Sequence, residues 1–225
     1  MMDEDPNKWG IRWPSPAKME RMVTSVNVRE PLLHNVFGFV DGLNLRTYQP
    51  GDVDEQNAFY NGWLGDTYCS QVIVFLPDGE IAWVSYNNPG SWHDSKIASG
   101  LYEFLKSSKH TPKKFALLAD SAFPRGKDVQ GHILSKPKEK KVMTETDVSK
   151  LRLWEAITRQ RQAAEWGMRA LQGAFGRLDL RLPVDKRKRS TILSVIFSLH
   201  NFRARRVGLN QLKEVYFPQW ASREM

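Results

Sequence analysis

Cysteine is almost missing from this chain: Cys69 is the only one in 225 residues. An internal disulfide and a cysteine-based zinc site are thereby excluded, and a reducing compartment fits. Long apolar runs are missing too, since no stretch approaches the roughly 18 uninterrupted apolar residues of a membrane span. The N-terminus carries Asp3, Glu4 and Asp5 before an early proline, without the basic flank and apolar stretch of a signal peptide. There is no internal repeat and no low-complexity tract. A soluble intracellular protein is expected. Acidic charge is in deficit, with 25 Asp and Glu against 33 Lys and Arg and a net charge of +8, so polyanions are the first partners to consider. The 41% hydrophobic content suffices for one sizeable core, and two full domains would be a tight fit.

The sequence divides into a lead-in strap over residues 1–35, a central domain over 36–206 and a tail over 207–225. The strap is rich in proline and predicts one short helix over about 16–25. From Val36 an apolar run ends at Asp41-Gly42, which reads as a buried strand stopped by a turn. Strands are predicted over about 70–75 and 80–86, paired as a hairpin through Pro77-Asp78-Gly79. A helix over about 95–105 follows, then a strand over 115–119 running into Asp120. Residues 135–150, with Lys136, Lys138, Lys140 and Lys141, read as an exposed loop. A long helix over about 147–175 carries Leu153, Ile157, Ala164, Met168 and Leu171 on one face. The basic run Lys186-Arg187-Lys188-Arg189 precedes a last helix signalled by Ile192, Val195, Ile196, Leu199 and Phe202.

Two buried strands thus each end in an aspartate. Neighbouring strands lie about 4.8 Å apart, so if these two are adjacent, their carboxylates can share a cation. Carboxylates gathered at the ends of buried elements repel one another and call for a reason. Two-metal phosphodiester chemistry supplies one: hard cations about 3.5–4 Å apart need oxygen ligands around them. A third ligand would come from a helix crossing that sheet edge.

Five motifs occur in order: Phe39-Val40-Asp41-Gly42, Asn61-Gly62, Pro89-Gly90-Ser91-Trp92-His93-Asp94-Ser95, Leu118-Ala119-Asp120-Ser121-Ala122-Phe123 and Arg161-Gln162-Ala163-Ala164-Glu165. Together they resemble the DDE superfamily endonucleases of PIF/Harbinger-type transposases, over about residues 36–202. The resemblance implies an α/β, RNase H-like mixed sheet of three strands, a helix, a strand and then helices. It implies Asp41, Asp120 and Glu165 as the catalytic, metal-holding triad, Mg2+ or Mn2+ as cofactor, DNA as substrate and the nucleus as location. Phe123 stands where a tyrosine is commoner in that family. His93, Asp94 and Arg161 are expected close by, orienting a metal ligand or a water. A separate Myb-like protein often supplies DNA recognition in the family and is an implied partner. Full transposases of this kind carry an N-terminal helical region that recognises transposon ends; with only a strap before Asp41, a fragment, a decayed copy or a domesticated gene is expected. The alternative function is a non-cutting nuclear protein that keeps the fold to bind DNA or a partner.

Plainer readings stand beside these. Asp41-Gly42 reads as a turn pair, Glu165 as an ordinary helical ion pair with Arg161 or Arg169, and Ser91-x-x-Asp94 as a capping box. His200-Asn201 reads as packing. Trp63, Trp83, Trp92 and Trp166 read more simply as core than as platforms for bases. Lys186, Arg187, Lys188 and Arg189 fit a DNA-backbone contact, an import signal or a solvated loop.

Overall fold

The computed structural model describes residues 10–124, 129, 131–137, 142, 145–208 and 210–218. Lys138, Lys140 and Lys141 of the lysine-rich stretch lie outside the described residues.

A six-stranded mixed sheet forms the centre, with helices on both faces. Its strands are β1 (Val36–Arg46), β2 (Tyr60–Asn61), β3 (Asp66–Phe75), β4 (Ile81–Pro89), β5 (Ala116–Leu118) and β6 (Ile133–Leu134). They run in the order β2-β3-β1-β5-β6, with β4 paired to β3. β1, β3 and β4 are antiparallel, whereas β1, β5 and β6 are parallel. The helices are α1 (Pro16–Arg29), α2 (Val53–Phe59), α3 (Asp94–Ile97), α4 (Ser99–Lys106), α5 (Val148–Ala174), α6 (Lys186–Arg206) and α7 (Gln211–Tyr216).

The hairpin turn forms as expected, with Gly79 at a φ of 85°, a left-handed conformation that suits glycine. Elsewhere local signals are overridden. β1 does not stop at Asp41 but continues to Arg46, because Leu43 and Leu45 are buried and the segment pairs with β3 as far as Arg46↔Tyr68. Asp41 is therefore interior to a strand, and Asp41-Gly42 is no turn. The helix expected over 95–105 is two helices, broken at Ala98. The capping box is not used: His93, not Ser91, is the N-cap residue, and Asp94 is the first helical residue. The run Lys186 to Arg189 opens α6 and does not precede it, with Asp185 accepting from the Lys188 N–H at 2.7 Å as its cap.

Two apolar layers sandwich the sheet. Phe39, Leu43, Leu45 and Leu118 pack with α5 and α6 on one side. Val40, Val72, Val74 and Leu117 pack with α1, α3 and α4 on the other. A register shift between Val36 and Gly38 sets which β1 residues face which layer. Val36 and Phe39 share a layer despite the odd spacing, the mark of one extra residue in the strand. Gly38 leaves no room for a side chain there, since an added Cβ would lie 2.9 Å from the Phe75 carbonyl oxygen.

The lead-in and the tail both join this core. Met19, Met22 and Val26 of α1 are fully buried. In α7, the Tyr216 hydroxyl donates to Gln160 Oε1 at 2.6 Å, and its ring stacks on Phe39 at 5.4 Å. His200 and Asn201 are a buried clamp. Asn201 bonds both backbone polar groups of Ile81, at 2.7 and 2.8 Å, and His200 Nε2 lies 3.0 Å from the Gly79 carbonyl oxygen.

Candidate active site

Parallel pairing of β1 with β5 aligns Phe39 with Leu118, so two residues further along each chain Asp41 and Asp120 emerge side by side. The adjacency on which the shared-cation argument depends is present. Asp41 Oδ1 accepts from the Gly42 N–H at 2.9 Å, and Asp120 Oδ1 from the Ala122 N–H at 2.7 Å, so each carboxylate is held by a neighbouring backbone N–H.

Asp94 is the third carboxylate of the group. It stands against the bare Cα of Gly42, where an added Cβ would lie 2.3 Å from its Oδ2. A side chain at position 42 would push the Asp94 carboxylate out of its place, which gives the Gly of the Asp-Gly pair a packing role in place of a turn role. Among the described residues, no hydrogen-bond donor serves the Asp94 side chain.

The electrostatics record the crowding. Burial pushes the Asp41 carboxyl up to about 6; the Gly42 N–H and Arg161 oppose that rise, while the charges of Asp120 and Asp94 add to it. Burial and the Asp120 charge also push Asp94 up, with His93 opposing. Arg161, on α5, acts on Asp41 by its charge and also reaches Glu165, at 3.8 Å. Glu165 keeps 44% of its side-chain surface exposed and pairs with Arg161 one helical turn away. Asp41, Asp94 and Asp120 are thus brought together, while Glu165 pairs with Arg161, whose charge also acts on Asp41.

The donor set suits a hard divalent ion, being carboxylate oxygen throughout. Among the described residues, no three His, Cys, Asp or Glu side chains already surround one point as a metal cage. Arg161 supplies the positive charge that partly offsets the carboxylate repulsion in this arrangement.

Two open clefts adjoin the carboxylate group. One, of about 340 Å3, is lined by Asp120, Ser121, Lys136, Thr158 and Arg161 and is cationic. The other, of about 470 Å3, runs from Ala122 and Asp94 past Trp92 to Tyr60 and Trp63. Sequence spacing favours core positions for these tryptophans, but Trp63 is 95% exposed and Trp92 is 38% exposed. A tryptophan within Gly-Trp-Leu-Gly, a glycine-flanked turn sequence, is the signal that marks the exception.

Arg189 does not belong to a surface basic patch. It is 1% exposed, its Nη1 donates to the carbonyl oxygens of Pro183 and Val184 at 2.8 and 2.9 Å, its Nε donates to Asn87 Oδ1, and its guanidinium lies 4.5 Å from the Phe59 ring centroid. Lys186, Arg187 and Lys188 are exposed. The helical period explains the split, since the fourth residue of the run turns inward.

No curated protein and no solved structure matches the chain. The family model described as DDE superfamily endonuclease matches residues 40–201. That match takes in both paired aspartates and the helix that carries Arg161 and Glu165, and the chain is therefore a member of the DDE superfamily of endonucleases.

Proposed function

We propose that this chain is the catalytic domain of a metal-dependent DNA endonuclease of PIF/Harbinger transposase type, with an RNase H-like core. The reading is carried by the parallel β1–β5 register that sets Asp41 beside Asp120, with Asp94 packed against Gly42. Asp41, Asp120 and Glu165 would hold Mg2+ or Mn2+, with Asp94 and His93 orienting the donors. Bound divalent ions supply Lewis acidity, activating the attacking oxygen and stabilising the leaving one. The chain's own part is positional: Lys136 and Arg161 hold the phosphate backbone in the cationic cleft, and the sheet edge keeps the aspartates aligned. For Glu165 to join them, its pair with Arg161 must open, and an exposed pair of this kind is worth no more than about 1 kcal/mol. The nucleus is the matching location, with Lys186, Arg187 and Lys188 as an import or DNA-backbone segment.

Asp120→Asn is expected to abolish Mn2+-dependent nicking of supercoiled plasmid while leaving the circular dichroism spectrum and melting temperature near wild type. Equal residual nicking by wild type and variant would remove the assignment.

One observation favours a second reading. With Glu165 engaged by Arg161, the chain also fits a domesticated protein that binds DNA or a Myb-like partner without cutting. Calorimetric titration with Mn2+ separates the two, because binding below millimolar concentration supports the enzyme and its absence supports the scaffold.

A further inference from the structure

The cleft of about 470 Å3 beside Asp94 has a construction that strand cutting alone does not require. Its outer wall is the four-residue turn 62–65 between β2 and β3, with Trp63 at its tip. An indole left 95% exposed gains nothing from the core, yet the turn that carries it is tied by side-chain hydrogen bonds. Asn61 Oδ1 accepts from the N–H groups of both Trp63 and Leu64 at 3.1 Å, and its Nδ2 donates to the Gly90 carbonyl oxygen at 2.9 Å. Gly65 closes the turn at a φ of 69°.

Gly90 opens the loop that carries Trp92 and leads into Asp94. That loop is seated so closely that a Cβ on Gly90 would lie 2.4 Å from the Tyr68 carbonyl oxygen. Asn61 therefore ties the Trp63 turn and the Trp92 loop into one unit. The Trp92 ring is itself covered on one side by Lys96, whose Nζ lies 3.7 Å from the ring centroid. Exposed aromatic rings, the side-chain amide of Asn44 and the Lys96 ammonium on Trp92 are the groups that take a flat, hydrogen-bonding, anionic ligand. The volume lies in the range of about 300–1,000 Å3 usual for small-molecule sites. The cleft opens at Ala122, whose N–H is bonded to Asp120, so a strand whose phosphate lies over the aspartates would deliver its next base here.

We infer that this cleft is a base-binding pocket, which takes one unpaired nucleobase next to the cut phosphate and stacks it against Trp63 and Trp92. The protein thereby grips single-stranded or locally opened DNA in preference to closed duplex, because a paired base has neither face nor edge free to enter. The inference rests on the nuclease reading for its alignment of phosphate and base, and its test is independent of cutting.

The test is equilibrium binding of a fluorescein-labelled 12-nucleotide single strand and of the matching blunt duplex, in metal-free buffer where nothing is cut. Trp63→Ala is expected to weaken single-strand binding at least about fivefold, the low end for removing one stacking platform. Duplex binding is expected to change less than about twofold, and Trp63→Phe to restore most of the loss. Because Trp63 is exposed on a turn, the fold does not depend on it. Single-strand affinity within twofold of wild type for Trp63→Ala would overturn the pocket, as would an equal loss on both DNAs or a wild type that binds no single strand. Nicking of plasmid by that same variant would then show that the nuclease reading stands without the pocket. Conversely, Trp63-dependent single-strand binding by a wild type that never nicks would keep the pocket and remove the nuclease.

Discussion

Asp41 shows what a buried carboxylate cluster does to the protein that carries it. Burial raises its folded-state value to about 6 from an ordinary 3.8, so the native protein holds that proton more tightly than the unfolded chain. The sign of the stability effect follows: the group contributes fully below the unfolded value, and the contribution is lost as pH rises through about 6, at a cost of up to about 3 kcal/mol. Asp41→Asn is therefore expected to raise the melting temperature of the metal-free protein at pH 7.5 by roughly 5 °C. At pH 4 the substitution should be nearly neutral. Scanning calorimetry at the two pH values checks this, and an equal shift at both would mean that repulsion and burial do not act on Asp41. Gly42 is legible in the sequence only as a turn residue, because the pair Asp-Gly has that meaning locally. Its actual role, leaving space for Asp94, needs a residue 52 positions away and is invisible in any local window.

Helix α5 is the element that decides whether the site can assemble. It crosses the sheet with Gly167 on the Phe75 ring, where an added Cβ would lie 2.7 Å from the nearest ring carbon. Phe75 is fully buried and has little freedom to yield. Gly167→Ala is expected to destabilise by about 1–3 kcal/mol in urea denaturation, as overpacking does. By lifting the helix, it should also reduce nicking more than binding, since Arg161 and Glu165 ride on the same helix. A variant with unchanged stability would show that helix and sheet do not approach this closely. The helix itself is legible in the sequence: its apolar positions recur at helical spacing, and the observed span of 148–174 differs by one residue at each end from the expected 147–175. The end of β1 is not, because burial on one face extends a strand past a local turn signal. The break at Ala98 carries no strong sequence mark, as no proline or glycine stands at that position.

At the scale of the whole molecule, the net charge of +8 has to be distributed before it means anything. Lys186, Arg187 and Lys188 face solvent at the start of α6, while Arg189 is spent inside, clamping Asn87 and the turn at Pro183 and Val184. Replacing the three exposed residues by alanine is expected to weaken duplex binding and to lower the slope of log K against log salt by about 0.9 for each phosphate no longer neutralised. Arg189→Ala should instead lower thermal stability and leave the salt slope of the folded protein unchanged. Fluorescence anisotropy over a salt series distinguishes the two, and a slope that fails to move in the triple variant would place the DNA path elsewhere.

The sequence by itself determined four of the six described strands in outline, the long helix and the hairpin turn, and singled out Asp41 and Asp120 as candidates, because periodicity, turn chemistry and short motifs are local properties of the chain. Only the tertiary structure decided the rest. The extra residue near Gly38 turns Asp41 toward α5, the parallel register brings Asp120 beside it, and Asp94 fills the space that Gly42 leaves. Tertiary packing also buries Arg189 and strands Trp63 in solvent. Each of these depends on which surfaces meet across the sheet, and contacts between distant segments set that, whereas local spacing does not.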